Sequence, residues 1–295
     1  MTHRDRLDLI LLAAIWGASF LFMRIAAPEF GAFVLAELRI SIAAAFLLGV
    51  LLWQSDLREL SRLVVPLFVV GFFGSAFPFV LFAYSTLTIN AGTAAVINAT
   101  APLFAGLVAY VWLRDRLQPV QSIGLAVGFG GVVLLLWDRI ALNIDGAASA
   151  MGACLVASLS YGIAVNYTKK TLSGVAPIVS AAGSQLAAAI LLMPLAIWYW
   201  PQETVSARSW YSAVALGVLC TGVAYILYFR LIANVGPARA ITVTYLVPVF
   251  GMFWGFTFLD ETVSIGMLAA CAVIFVGIAM TTGGFRHGGK AQSSK

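Results

Sequence analysis

Few residues of this chain could do chemistry, and those few stand apart from one another. Arg24, Glu37 and Arg39 are charged residues set well inside apolar runs. Glu37 and Arg39 are two positions apart, so on a helix they point to different faces and do not pair. Glu37 is a candidate carrier of a coupling proton and Arg39 a candidate receiver of a solute carboxylate. Snorkelling to an interface, or a structural ion pair, is the favoured account of Glu37 and Arg39. The histidines, His3 and His287, lie near the ends, and Cys154, Cys220 and Cys271 each stand alone. No spacing suits a metal site or a disulfide framework, and no glycine-rich loop carries a lysine for nucleotide phosphates. Neither a metal nor a cofactor is expected.

Rings, hydroxyls and amides are what the apolar runs do offer. At helical spacing Trp16, Ser19 and Phe20 share a face, as do Phe73, Phe77 and Tyr84, and Ser158, Tyr161 and Thr168. Ile241, Tyr245, Pro248 and Met252 form a further face, while Asn98, Gln185, Tyr225 and Tyr228 add isolated polar groups. The candidate substrate-binding set is Trp16, Ser19, Phe20, Phe77, Tyr84, Asn98, Tyr161, Gln185, Tyr225 and Tyr245. Gathered around a cavity, such side chains suit a flat aromatic solute or an organic cation. Each ring taken singly is equally suited to packing against a neighbour or lipid.

The elements that must position these groups are apolar helices. The chain is 62% hydrophobic and only 10% charged, where a soluble domain carries about a quarter charged residues. Its mean hydropathy is +0.99, and lipid is the solvent that fits such a composition. Runs at 8–27, 31–53, 63–84, 93–113, 119–137, 147–168, 175–198, 210–229, 238–259 and 263–282 are each long enough to cross a ~30 Å hydrocarbon layer as helix. Breakers such as Pro28, Gly31, Gly92, Pro119, Gly146, Gly174 and Pro237 fall between them. The first run follows basic residues but no A-x-A motif, so it reads as a span and not as a leader.

Charge sets the expected orientation. Arg4, Arg6, Arg58, Arg62, Arg114, Arg116, Lys169, Lys170, Arg230, Arg239, Arg286, Lys290 and Lys295 fall on one side; Arg24, Arg39, Arg139 and Arg208 do not. The positive-inside rule makes that side, with both termini, cytoplasmic. The formal charge of +5 is scattered in ones and twos, unlike a phosphate-tracking stripe, so no nucleic-acid partner is expected. The partners expected are the lipid bilayer and a small-molecule substrate.

The two halves resemble each other. INATAPLF at 97–104 aligns with VTYLVPVF at 243–250, LRDRL at 113–117 with LDETV at 259–263, and Trp16-Gly17 with Tyr161-Gly162. AELRISIAAA at 36–45 is set against SAAGSQLAAA at 180–189. Five spans per half force the second half to insert upside down. The expected fold is therefore all-α, with ten transmembrane helices as two inverted five-helix repeats, 1–143 and 144–295, around a central cavity. Inverted repeats suit transport by rocking about a midplane site. Pro102 and Pro248, matched inside spans, are candidate hinges or passive kinks. Gly124, Gly128 and Gly131 form a small-residue face, expected to pack within one chain, so a monomer is anticipated.

Trp16, Gly17 and Phe20, then Leu38-Arg39, then Pro102 and Phe104 with Pro248 and Phe250, followed by an acidic residue, resemble the drug/metabolite transporter superfamily, EamA type. The resemblance covers about residues 8–282. Within the superfamily the chain looks most like the YddG-type bacterial exporters of aromatic amino acids and paraquat-like cations. It departs from the family in carrying Asp115, flanked by arginines, where Glu is usual. The resemblance implies a secondary, non-ATP-hydrolysing inner-membrane transporter exporting aromatic amino acids, related metabolites or flat organic cations. Alternatives are a permease for another metabolite or a sugar-like solute, a channel, for which no filter-like segment is present, and an intramembrane enzyme, for which no acid–base cluster is present.

Overall fold

The computed structural model describes residues 2–54, 58–115, 117–141, 145–236, 240 and 242–282. Arg116, Pro237, Arg239, Ile241, the basic tail and the expected boundary between halves at 143/144 lie outside the described residues. Among those described, every regular element is helical. In order they are α1 (His3–Gln54), α2 (Arg58–Arg62), α3 (Val64–Gly71), α4 (Phe77–Ser85), α5 (Ala91–Asn98), α6 (Ala101–Trp112), α7 (Pro119–Ala141), α8 (Ala147–Thr171), α9 (Pro177–Trp198), α10 (Ala207–Gly217), α11 (Ala224–Val235), α12 (Val243–Leu259) and α13 (Ile265–Thr281). Phe72–Ala76 joins α3 to α4 as a π-helical turn, and Val218–Val223 joins α10 to α11 in the same way.

Seven helical stretches are long and apolar enough to cross a membrane: His3–Trp53, Val64–Ser85, Ala91–Trp112, Pro119–Trp137, Ala147–Thr171, Pro177–Trp198 and Ala207–Val235. α12 and α13 are apolar helices of 17 residues each. A helix the length of α1 runs to about 78 Å, more than twice the hydrocarbon thickness, and α1 is not straight. It breaks at Gly31, whose φ of 73° and ψ of 167° suit a residue without Cβ. Pro28, three residues earlier, has no N–H to continue the ladder. The sequence predicts a short loop at this corner; the helices abut instead. Glu29 pins it by accepting from the Ser206 backbone N–H (2.6 Å) and hydroxyl (2.8 Å) at the start of α10.

Three expected spans are also not single α-helices. Two carry the π turns, and the stretch from Ala91 to Trp112 is interrupted at Ala99–Thr100. Pro102 falls in the first turn of α6, where its missing N–H costs nothing. Pro248 lies inside α12, which continues through it. Of the two candidate hinges, only Pro102 marks a break in the backbone.

Glycine lets the helices cross closely. A Cβ on Gly17 would lie 2.6 Å from Phe250 Cβ of α12, and one on Gly162 would lie 2.8 Å from Ala105 N of α6. α1 thus meets the helix that bears Pro248, and α8 the helix that bears Pro102. α7 lies along α13, where a Cβ on Gly277 would overlap the Gly128 backbone. The Gly124–Gly131 face is therefore used within the chain. Trp53, Trp137 and Trp198 are strongly exposed at helix ends, as interfacial anchors are.

This arrangement makes the orientation testable. Leu87 is exposed beyond α4 and Gln118 is exposed before α7, while Cys154, Cys220 and Cys271 are buried. A cysteine replacing Leu87 is expected to react with an impermeant thiol reagent added outside intact cells, and one replacing Gln118 only after permeabilisation. The reverse labelling pattern would overturn the orientation drawn from the basic residues.

Candidate functional site

A guanidinium lies near the centre of the bundle. Arg39, on the second arm of α1, is buried, and its Nε donates to Thr221 Oγ1 at 3.0 Å in the second π turn. One terminal nitrogen approaches Met23 Sδ at 3.9 Å. Cζ sits 3.8 Å from the centroid of Phe79, face-on. Tyr161, Cys220 and Tyr225 lie within electrostatic range. Among the described residues no carboxylate pairs with it. Taking a charged group from water costs several kcal/mol even after relaxation, and a desolvated cation–π contact returns only about 2 kcal/mol.

Gln185, wholly buried on α9, has the matching role. Its Nε2 donates to Ser75 Oγ in the first π turn at 2.8 Å and to Tyr225 OH at 3.4 Å. Its Oε1 is buried and accepts no hydrogen bond among the described residues. The same interval along the chain separates Arg39 from Gln185, Ser75 from Thr221, and Phe79 from Tyr225. Thr221 of the second π turn thus serves Arg39 and Ser75 of the first serves Gln185, while Phe79 lies against Arg39 and Tyr225 against Gln185. The sequence alignment instead sets Arg39 against Gly183, two positions short. A run of alanines slides by two residues without penalty, so only the contacts fix the register. π turns recur at functional sites because the extra residue redirects side chains.

A second matched pair closes the ends of α12 and α6. Asp260 and Arg114 hold the left-handed conformation, with φ of 53° and 57°. The residue after each then bonds back, Glu261 N to Gly255 O and Asp115 N to Ala109 O, both at 3.2 Å. Glu261 thereby faces Arg24 of α1, with Nε–Oε1 at 3.7 Å, and accepts the Ala91 N–H at 3.0 and 2.9 Å, capping α5. Arg24 also donates to the carbonyls of Thr86 and Leu87. Asp115 faces Lys169 of α8, also at 3.7 Å. The Arg24 and Glu261 side chains are 32% and 11% exposed, the Lys169 and Asp115 side chains 69% and 57%. The first contact is sheltered and multiply bonded, the second solvated and single.

Of the predicted binding residues, the structure brings Tyr161, Gln185 and Tyr225 to the Arg39 cluster. Phe20 reaches it through Phe82, which it meets edge-on at 5.7 Å and which stacks on Tyr161 at 5.9 Å. Trp16 lies to one side against Tyr228 at 5.3 Å. Ser19 turns back to the Trp16 carbonyl. Phe77 stacks on the exposed Phe72, and Tyr84 is 43% exposed. Asn98 is half-buried at the end of α5, and Tyr245 packs edge-on against Phe275 and bonds Thr282. Glu37 is buried, accepts from Ser41, and faces away from Arg39. Sequence reasoning missed Phe79, Phe82, Ser75 and Thr221. A π turn shifts the register by one residue, about 100° of rotation, so the face extrapolated from Phe73 turns outward beyond Ala76. Gly74-Ser75 and Thr221-Gly222, a small residue beside a hydroxyl in each matched run, were the available signal.

Two cavities lie elsewhere, and residues of the cluster line neither. One, about 620 Å³, opens among Thr2, Arg4, Asp5, Arg230 and Asn234; the other, about 400 Å³, is an apolar groove between α3 and α9 that includes Leu67, Gly183 and Ile190.

An all-helical, lipid-suited bundle with a polar centre defines a multi-pass membrane protein. The sequence signature of the EamA-like transporter family matches residues 7–137 and again 148–283, and the chain belongs to that family. It is therefore a membrane transporter, which points away from an enzyme. Similar proteins include the uncharacterized transporter YoaV of Bacillus subtilis, 24% identical over 94% of this chain and 96% of its own. The uncharacterized inner membrane transporter YedA of Escherichia coli is 25% identical over 93% and 90%. A solved crystal structure aligns with a TM-score of 0.65 at 21% identity, over 95% of this chain and 96% of its own, and shows the shared fold.

The two ion pairs predict unequal contributions to stability. Glu261→Ala removes a helix cap and a sheltered charge partner, and is expected to cost about 1–2 kcal/mol. Asp115→Ala removes a solvated pair worth ~0–1 kcal/mol. Thermal melts of the detergent-purified variants check this; equal melting temperatures would contradict the difference.

Proposed function

We propose that the chain crosses the inner membrane ten times, as two five-helix halves of opposite orientation, with both termini cytoplasmic. On this reading it is a monomeric secondary transporter that exports flat aromatic solutes by alternating access, without ATP hydrolysis. Its solutes are aromatic amino acids and related metabolites, or flat organic cations. Ten crossings follow if α1 counts twice about Gly31 and α12 and α13, about 25 Å each, also span. The two separate matches of the family signature support two halves, and YedA's name as an inner membrane transporter supports the location.

One observation carries the mechanism: the cross-half ion pairs are equivalent in sequence but unequal in strength. In the proposed topology Arg24–Glu261 closes the outer end and Lys169–Asp115 the inner end. Halves of opposite orientation exchange these environments when they rock, so the sheltered pair at one end becomes the solvated pair at the other. In the described conformation the outer end is held firmly and the inner end weakly. The rings of Phe79, Tyr161, Phe82 and Tyr225 between them supply stacking surfaces for the solute.

Reconstituted in liposomes, the protein is expected to show saturable phenylalanine or tryptophan flux, stimulated by the same solute on the opposite side. Flux linear in concentration and without such stimulation would make it a channel. Tyr161→Ala is expected to weaken solute affinity by a few-fold to about thirty-fold, the range of ~0.5–2 kcal/mol from one aromatic contact. An unchanged affinity in a folded variant would remove the ring cluster from the site.

A further inference from the structure

We infer that the solute must carry a carboxylate, bound by Arg39, and that this guanidinium makes the site discriminate against organic cations. The inference rests on the aromatic-solute reading above and narrows it to one charge class. Arg39 is buried within a ring-lined cluster, yet its protein partners are one hydroxyl, one thioether sulfur and the face of Phe79. None carries a negative charge. Glu37, two residues away, is turned to Ser41 and does not neutralise it. Arg24 and Arg230, by contrast, each have a carboxylate within 4 Å. A guanidinium fork matches a carboxylate with two parallel N–H donors.

The counterpart position sharpens the reading. Two equivalent residues of the halves face the same centre, and they are Arg39 and the neutral Gln185. The pair therefore carries a net positive charge. Gln185 Oε1, buried and accepting no hydrogen bond among the described residues, is the one orphaned acceptor of the cluster. The centre thus holds a fork of donors on one side and an acceptor on the other, with Phe79 and Tyr225 as matched rings. A solute with an anionic end, a hydrogen-bond-donating end and a flat body answers that pattern. A bipyridinium dication meets the guanidinium with like charge in a medium of low dielectric, where repulsion is least screened.

Calorimetric titration of the full-length purified protein with four probes tests the assignment: phenylalanine, 3-phenylpropionate, phenethylamine and a bipyridinium dication. The two carboxylates are expected to bind about tenfold or more tightly than the two cations, with phenylalanine at least equal to phenylpropionate. Arg39→Gln is expected to abolish that preference while Arg39→Lys retains part of it. Equal binding of all four, or tighter binding of the cations, overturns the carboxylate role and leaves the aromatic-solute reading standing. Binding of none of the four overturns both. Undiminished carboxylate binding by Arg39→Gln, melting as the unsubstituted protein does, also overturns it. If that variant does not fold, the ranking of the four probes on the unsubstituted protein decides by itself.

Discussion

A guanidinium that has left water must find other groups to stand in for it, and much of the bundle's centre is organised by that requirement. Arg39 comes from α1, Phe79 from α4, Thr221 from a π turn and Tyr161 from α8, so four separate helical stretches meet at one charge. None of these partners cancels it. A carboxylate at the same place would make the site electrically complete and stable, with little left to recognise. The transporter instead keeps a buried cation surrounded by polarisable, neutral groups.

Close helix contact makes this centre reachable. Gly17 lets α1, and Gly162 lets α8, lie directly against the backbone of a proline-bearing helix. The π turns then widen the helical repeat where Ser75 and Thr221 need to face inward. Backbone groups have no water to turn to in lipid, so irregularity of this kind persists only where protein surrounds it. Both turns are buried at the hydroxyl-bearing residue, in keeping with that rule.

The ends of the bundle obey different physics from its centre. Glu261 is held by the Ala91 N–H at the start of α5, shared between its two oxygens, and by an arginine that itself bonds two carbonyls. Asp115 meets a single flexible lysine in water. Two acids at equivalent places therefore contribute unequally, because the strength of a charge pair follows its solvation more than its distance. In the proposed cycle that inequality is what one rocking motion reverses.

By itself the sequence determined the lipid-suited helices, the repeated Trp/Tyr-Gly, Pro-x-Phe and acidic motifs, and the membership of the family those motifs resemble. These depend on composition and local order, and a one-dimensional pattern carries them in full. It also pointed to Arg39, Tyr161, Gln185 and Tyr225, because polar groups inside apolar runs are costly wherever they fall. It named Phe77 and Tyr84, which the structure leaves apart from the Arg39 cluster, and not Phe79 and Phe82, because a π turn leaves no mark on hydropathy yet rotates every residue beyond it. It set Arg39 against Gly183, because neighbouring alanines are interchangeable on paper. Which residues face one another across the bundle, and that Arg39 has no counter-charge among the described residues, were decided only by tertiary packing, since those relations join positions far apart in the chain through contacts that no local preference encodes.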